Sequence, residues 1–188
     1  MVEGLDANAN ALLLTGALEA AGISYAIGGA LAYGVWSAPR GTHDVDLNIF
    51  LAEDRVDDVV EVLTPAGCVF DREEARRRAR EGAVVVGRLA GMRIDLFFAT
   101  IPLSWEAAAT RVRVETSAGP RWYLSAEATA LFKLLFFRTK DKLDLDNLLQ
   151  VRGGLLDGAY IRRWLVDMMG DDDERVAFWD FLVAGGHV

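Results

Sequence analysis

Cysteine and histidine are almost absent. Cys68 is the single cysteine, and His43 and His187 are the only histidines. One thiol cannot build a disulfide framework or a thiolate metal cluster, so Cys68 reads as packing. Long apolar runs are also missing. No stretch approaches the roughly 18 apolar residues a membrane-spanning helix needs. The first residues, Met1 to Asp6, are acidic and lack the basic start of a secretory signal, so a cytoplasmic protein is expected. Positive charge is scarce as well: 20 Lys and Arg face 28 Asp and Glu, for a net charge of −8. Such a balance makes a poor generic binder of nucleic acid, because phosphate contacts need cations. Arg72, Arg76, Arg77, Arg78 and Arg80 do cluster in one segment, which reads either as a solvated helix or loop or as a local basic patch.

The remainder is ordinary globular usage, 52% hydrophobic and 26% charged, with enough length for one substantial core. Residues 8–21 carry helical spacing, and Gly22 suits the position past a helix end. Ser24 to Ile27 reads as a short strand closed by Gly28-Gly29, and Ala30 to Trp36 as a helix. Pro39 and Gly41 force a loop. Asp44 to Phe50 alternates polar and apolar residues, which marks a strand with two distinct faces. Asp54 suits the cap of a helix whose apolar face is Val56, Val59, Val60 and Leu63. Ala83 to Leu89 and Met92 to Phe98 flank Ala90-Gly91 as a hairpin. Arg111 to Thr116 and Trp122 to Leu124 suggest a second, smaller one. After Ser125, an N-cap candidate, the chain reads as helices over about 126–138, 142–151, 158–169 and 173–184. The expected architecture is α/β: a small mixed β-sheet core flanked by helices over 1–105, then a C-terminal helical bundle over 106–188. The soft boundary falls between about 100 and 125. The tryptophans Trp105, Trp122, Trp164 and Trp179 read as core. His43 reads as a surface residue and His187 as part of a tail.

Chemistry concentrates in two places. Asp44 and Asp46 lie two apart on one strand, so both carboxylates point the same way, with alpha carbons about 7 Å apart. A divalent cation relieves their repulsion, and oxygen donors suit magnesium or manganese together with substrate phosphates. Upstream, Gly28 and Gly29 let the backbone approach a phosphate closely and open a helix whose N-terminus favours anions. Asp95 stands alone among apolar residues in a strand, which is costly unless it is paired or metal-bound. It is the candidate third carboxylate, bridging a second metal and taking the proton of an attacking hydroxyl. Arg40 steadies these carboxylates or a phosphate, or is a loop charge. Thr42 is placed to hydrogen-bond the turn before Asp44. Lys133 is the only charge from Ala128 to Phe137. On a continuous helix it shares a face with Lys140, and both would reach triphosphate oxygens; the alternative is a snorkelling lysine. Asp141 and Asp144 either orient these cations and Arg138 or begin the next helix.

The stretch from Ile27 to Leu47, with Gly28-Gly29 and then Arg40-Gly41-Thr42-His43-Asp44-Val45-Asp46, resembles the first motif of DNA polymerase β-type nucleotidyltransferases. Ala30 stands where that pattern usually has serine, so no hydroxyl is present there. Asp95 falls at the place of the family's third carboxylate. Lys133, Arg138, Lys140 and Asp141 resemble the lysine–arginine–aspartate motif of the AbiEii-type and MenT-type toxin nucleotidyltransferases. The resemblance implies two metal ions on Asp44, Asp46 and Asp95. It also implies a nucleoside triphosphate donor lying between the core and the bundle, and attack of an acceptor hydroxyl on the α-phosphorus. The toxin branch further implies an RNA acceptor, especially the 3′ end of tRNA, and a neutralising antitoxin. Two other classes share these features: an antibiotic nucleotidyltransferase, and a non-catalytic nucleotide- or partner-binding module on the same scaffold.

Overall fold

A computed structural model describes residues 6–188, so the acidic start at 1–5 lies outside the described residues. Two units emerge. The first takes the chain up to Leu31 and again Gly41–Leu124; the second takes Ala32–Arg40 and Ser125–Val188.

The first unit begins with α1, Ala7–Ala20, capped by Asp6 accepting from the Ala9 amide at 2.7 Å. Gly22 ends it with φ +69°, a conformation that glycine adopts without strain. Then come β1 (Tyr25–Ile27), α2 (Gly29–Trp36, which runs on into the second unit), β2 (Asp44–Ile49), a single 3₁₀ turn, and α3 (Val56–Leu63). β3 (Val69–Phe70), α4 (Arg72–Arg80), β4 (Val85–Leu89), β5 (Met92–Phe98), α5 (Pro102–Thr110), β6 (Val112–Val114) and β7 (Arg121–Tyr123) follow. Among the described residues the strands form one mixed sheet in the order β3-β4-β5-β2-β1-β7-β6. β2 runs parallel to β5 and antiparallel to β1, and β7 runs parallel to β1. One sheet face is apolar: Val45, Leu47, Ile49, Ile94 and Leu96 are fully buried. α1 lies on that side, where Tyr25 donates to Glu19 at 2.9 Å.

Both expected hairpins form. Leu89 pairs Met92 across Ala90 and Gly91, each at positive φ, the geometry of a tight two-residue turn that matches strand twist. The second hairpin joins the sheet through Ile27 and Tyr123. α3 buries Val56, Val59, Val60 and Leu63 as its spacing predicts. Its N-cap is Arg55, however, not Asp54, because Glu53–Arg55 already winds as a 3₁₀ turn and carries Asp54 into the helix entry.

Two elements, β3 and α5, have no counterpart in the sequence reading; β3, at two residues, is too short for a periodic signal. On α5 the buried residues are Leu103, Ser104 and Ala107. Trp105 therefore faces outward at 50% exposure, which corrects its assignment to the core. Trp179 is buried, while Trp122 and Trp164 are half-buried. The arginine segment is a solvated helix rather than a basic patch. Asp71 caps it, Arg76 pairs with Asp57, Arg77 with Glu74 and Glu81, Arg78 with Glu74, and Arg72 with Glu61. Four of the five arginines of the cluster are thus matched by carboxylates. Cys68 is buried, and burial pushes its thiol up to about 12.

The second unit holds α6 (Ala126–Phe136), α7 (Thr139–Arg152), α8 (Gly158–Met169) and α9 (Glu174–Val183). Ser125 caps α6, accepting from the Ala128 amide at 3.1 Å. His187 is not a free tail residue, since its ring bonds the Asp146 carboxylate at 2.8 Å. No helix among the described residues is long and apolar enough to cross a membrane.

Candidate active site

In the β2–β5 ladder Asp44 pairs Arg93 and Asp46 pairs Asp95. Side chains of paired residues project to one face, so Asp44, Asp46, Asp95 and Arg93 share the polar face opposite the buried valine and leucines. Asp95 is 8% exposed, and Asp44 and Asp46 are half-buried. The Arg93 Nε donates to Asp95 Oδ1 at 2.7 Å. That bond, together with the Asp95 charge and the weaker fields of Asp44 and Asp46, raises the pKa of the guanidinium above its ordinary value. One cation thus sits among three carboxylates. The alternation that singles out Asp95 also points to Arg93 two residues earlier, yet a search for acids alone passes over it.

Local contacts explain the rest of the motif. The Thr42 hydroxyl donates a close hydrogen bond to Asp44 Oδ1, fixing the carboxylate itself as well as the turn. The Gly28 amide donates to the Asp46 carbonyl at 2.9 Å. A Cβ on Gly28 would lie 2.5 Å from the Asn48 amide nitrogen. A Cβ on Gly29, whose φ is +54°, would lie 1.7 Å from Asp46 Oδ2. Glycine is needed at both positions because the turn into α2 lies against β2 side chains. That places the positive end of α2 beside the Asp46 carboxylate, which the helix dipole favours.

The donor set suits a hard divalent ion, since carboxylate oxygens with substrate phosphates are the usual magnesium ligands. Among the described residues, however, no group of three or more His, Cys, Asp or Glu converges on a metal-holding point. Asp95 is occupied by Arg93. The residues fit an ion held by Asp44 and Asp46 together with substrate, rather than a finished three-carboxylate cage.

In the second unit the helix expected over 126–138 ends two residues early, at Phe136. Phe137 takes φ +53°, and α7 restarts at Thr139. Lys133 and Lys140 therefore do not share a face of one continuous helix: Lys133 is buried in α6 and Lys140 is exposed on α7. The break is stabilised by Asp141, which accepts from the Arg138 amide at 3.2 Å and from Arg138 Nε at 2.6 Å. Asp141 thus both starts the helix and holds Arg138. Lys133 is 5% exposed and does not snorkel. Its Nζ lies 2.5 Å from Asp144 Oδ2 and 3.7 Å from Asp141 Oδ1, over the Tyr33 ring at 5.0 Å. Arg40 reaches the same Asp144 through Nε at 3.1 Å and Nη2 at 2.9 Å.

Burial pushes the Asp144 carboxyl up, but the hydrogen bonds and charges of Arg40 and Lys133 outweigh it, and its pKa ends below the ordinary value. A depressed native pKa contributes stability that is complete above the unfolded value of about 3.9 and is lost as pH falls through the native value. The stability difference between wild type and Asp144→Asn should therefore be constant above about pH 5 and shrink on acidification below about 4. Urea unfolding across that range checks it; a difference that persists undiminished would mean the native carboxyl is not ionised.

The chain has the fold of nucleotidyltransferase-like proteins. It is similar to an antigenic nucleotidyltransferase-like protein from Paracoccidioides brasiliensis, with a TM-score of 0.54 and 16% identity over 93% of this chain and 94% of that one. It is also similar to the antibiotic-resistance factor ANT(2'')-Ia, with a TM-score of 0.52 and 14% identity over 87% of this chain and 97% of that one. No protein-family model matches the sequence, and no curated protein matches it at a significant level.

Proposed function

We propose that the chain is a nucleotidyltransferase that moves a nucleoside monophosphate from a nucleoside triphosphate to an acceptor hydroxyl. The observation that carries this reading is the placement of Asp44, Asp46 and Asp95 on one sheet face, with Gly29 forced against Asp46. Asp44, fixed by Thr42, and Asp46 hold magnesium or manganese. When bound, that ion neutralises triphosphate charge and polarises the α-phosphate. Asp95 is the base. The acceptor oxygen bonds to the α-phosphorus, the bond to the β-phosphate oxygen breaks, pyrophosphate leaves, and the hydroxyl proton passes to Asp95. Gly28 and Gly29 offer backbone to the nucleotide, while Arg40 and Lys140 offer positive charge. Lys133 and Asp141 act from inside the buried ion network.

The run from Lys133 through Arg138, Lys140 and Asp141 supports a toxin-like enzyme acting in the cytoplasm on the 3′ end of tRNA or another RNA, with an antitoxin as counterpart. A second reading, a small-molecule hydroxyl acceptor, is favoured by the structural likeness to an antibiotic-resistance factor.

The test is incubation with each α-labelled nucleoside triphosphate and magnesium, in parallel with total RNA and with a panel of aminoglycosides. Transfer of label to RNA is the expected result. Transfer to an aminoglycoside selects the second reading. Binding of nucleotide with no transfer to either class would leave a non-catalytic binding module.

A further inference from the structure

The ion network of the second unit is more elaborate than folding requires, because buried ion pairs contribute little net stability. It joins three cations, Arg40, Lys133 and Arg138, to two carboxylates, Asp141 and Asp144. Its parts are not equally accessible. Lys133, Asp141 and Asp144 are buried, whereas the Arg40 side chain is 35% exposed. Arg40 spends Nε and Nη2 on Asp144. Its Nη1 has no hydrogen-bond partner among the described residues. The Lys133 ammonium, by contrast, is taken up by Asp144 at 2.5 Å and lies under the Tyr33 ring. Order runs inward to outward: Lys133 neutralises Asp144, and Asp144 fixes the plane of the Arg40 guanidinium.

We propose that Asp144 is a positioning residue that, backed by Lys133, aims Arg40 as the cation contacting an oxygen of the substrate's triphosphate. The proposal rests on the nucleotide-binding reading above. It exchanges the roles of the two cations, with Arg40 as the contact and Lys133 as the support.

The sign of one substitution separates positioning from charge. Asp144→Asn removes a negative charge beside the Arg40 guanidinium. If net charge alone governed binding, a triphosphate would bind more tightly. If Asp144 aims Arg40, binding weakens, because an unfixed guanidinium must be ordered anew at each encounter. Calorimetric titration with tripolyphosphate in magnesium buffer reads this out. Asp144→Asn and Arg40→Ala are each expected to weaken binding by about tenfold, the scale of one charge-assisted hydrogen bond. The double variant should bind no more weakly than either single, since both changes remove the same contact. Arg40→Lys keeps the charge at a partly exposed position, but an ammonium cannot reproduce the fork on Asp144; it should bind as poorly as Arg40→Ala. That variant carries the test if Asp144→Asn does not fold.

Tighter or unchanged binding in Asp144→Asn, losses that multiply in the double variant, or recovery in Arg40→Lys would overturn the proposal while leaving the nucleotide reading intact. A wild-type protein that binds neither tripolyphosphate nor any of the four nucleoside triphosphates would overturn both.

Discussion

Asp46→Asn is expected to abolish nucleotidyl transfer and leave the protein folded. The substitution keeps the shape of the side chain that Gly29 is moulded around, so the turn into α2 has no reason to move. It removes one of the negative charges on the face proposed to hold the cation, opposite Asp95 in the β2–β5 register. Phosphoryl transfer depends on positioning and neutralisation far more than on covalent chemistry by the protein, so the rate should drop by roughly three orders of magnitude or more. Stability should change by no more than about 1 kcal/mol, because the lost charge also removes repulsion from Asp44. Label-transfer rates and thermal melts, measured on the same preparation, separate the two. A variant that keeps its activity and melts several degrees lower would make Asp46 a structural residue, and the transferase reading would lose its main support.

How much of this was legible in the sequence follows from where each signal is stored. Alternation is local, so β2 and the two faces of Asp44–Asp46 were readable, as was the pairing of Met92 to Phe98 with its hairpin partner. The helix break at Phe137 was harder. No glycine or proline marks it, and a left-handed phenylalanine is not a residue one would choose for a stop. What signals the restart is Asp141, three residues after Arg138, a capping arrangement obscured by the apolar run before it. The Arg40–Asp144 pair spans 104 positions. Nothing in one sequence connects two such residues, so Arg40 remained divided between a loop charge and a site residue, whereas Lys133, 11 positions from Asp144, was already grouped with it as a cation that carboxylate could orient. Arg93 was legible in principle: once β5 is a strand, residue 93 must share the face of residue 95. Counting carboxylates without asking what neutralises them left it out.

Gly29→Ala should destabilise the protein by about 2–4 kcal/mol, well beyond the cost of an ordinary glycine replacement. Two effects act at this position and can be separated. The first is backbone: at φ +54° an alanine costs about 1 kcal/mol. Gly22 measures that term alone, since its φ is +69° and a Cβ there would meet nothing within 4 Å; Gly22→Ala should therefore cost about 1 kcal/mol. The second effect is overlap. The new methyl would fall 1.7 Å from Asp46 Oδ2 and 2.5 Å from its Cγ, so the carboxylate must swing out of its place or the turn must lift from β2. Either movement disturbs the face proposed to bind the cation, and Mg–nucleotide affinity should fall with stability. The overlap is relieved in an Asp46→Gly background, where the three nearest atoms, all of the Asp46 side chain, are gone. There Gly29→Ala should approach the Gly22→Ala cost, and the difference between backgrounds measures how tightly glycine and aspartate are coupled. Urea unfolding of the four-variant cycle checks this. If Gly29→Ala costs no more than Gly22→Ala in the wild-type background, the turn does not press on Asp46. The glycine pair would then be a simple loop feature rather than the element that seats the carboxylate.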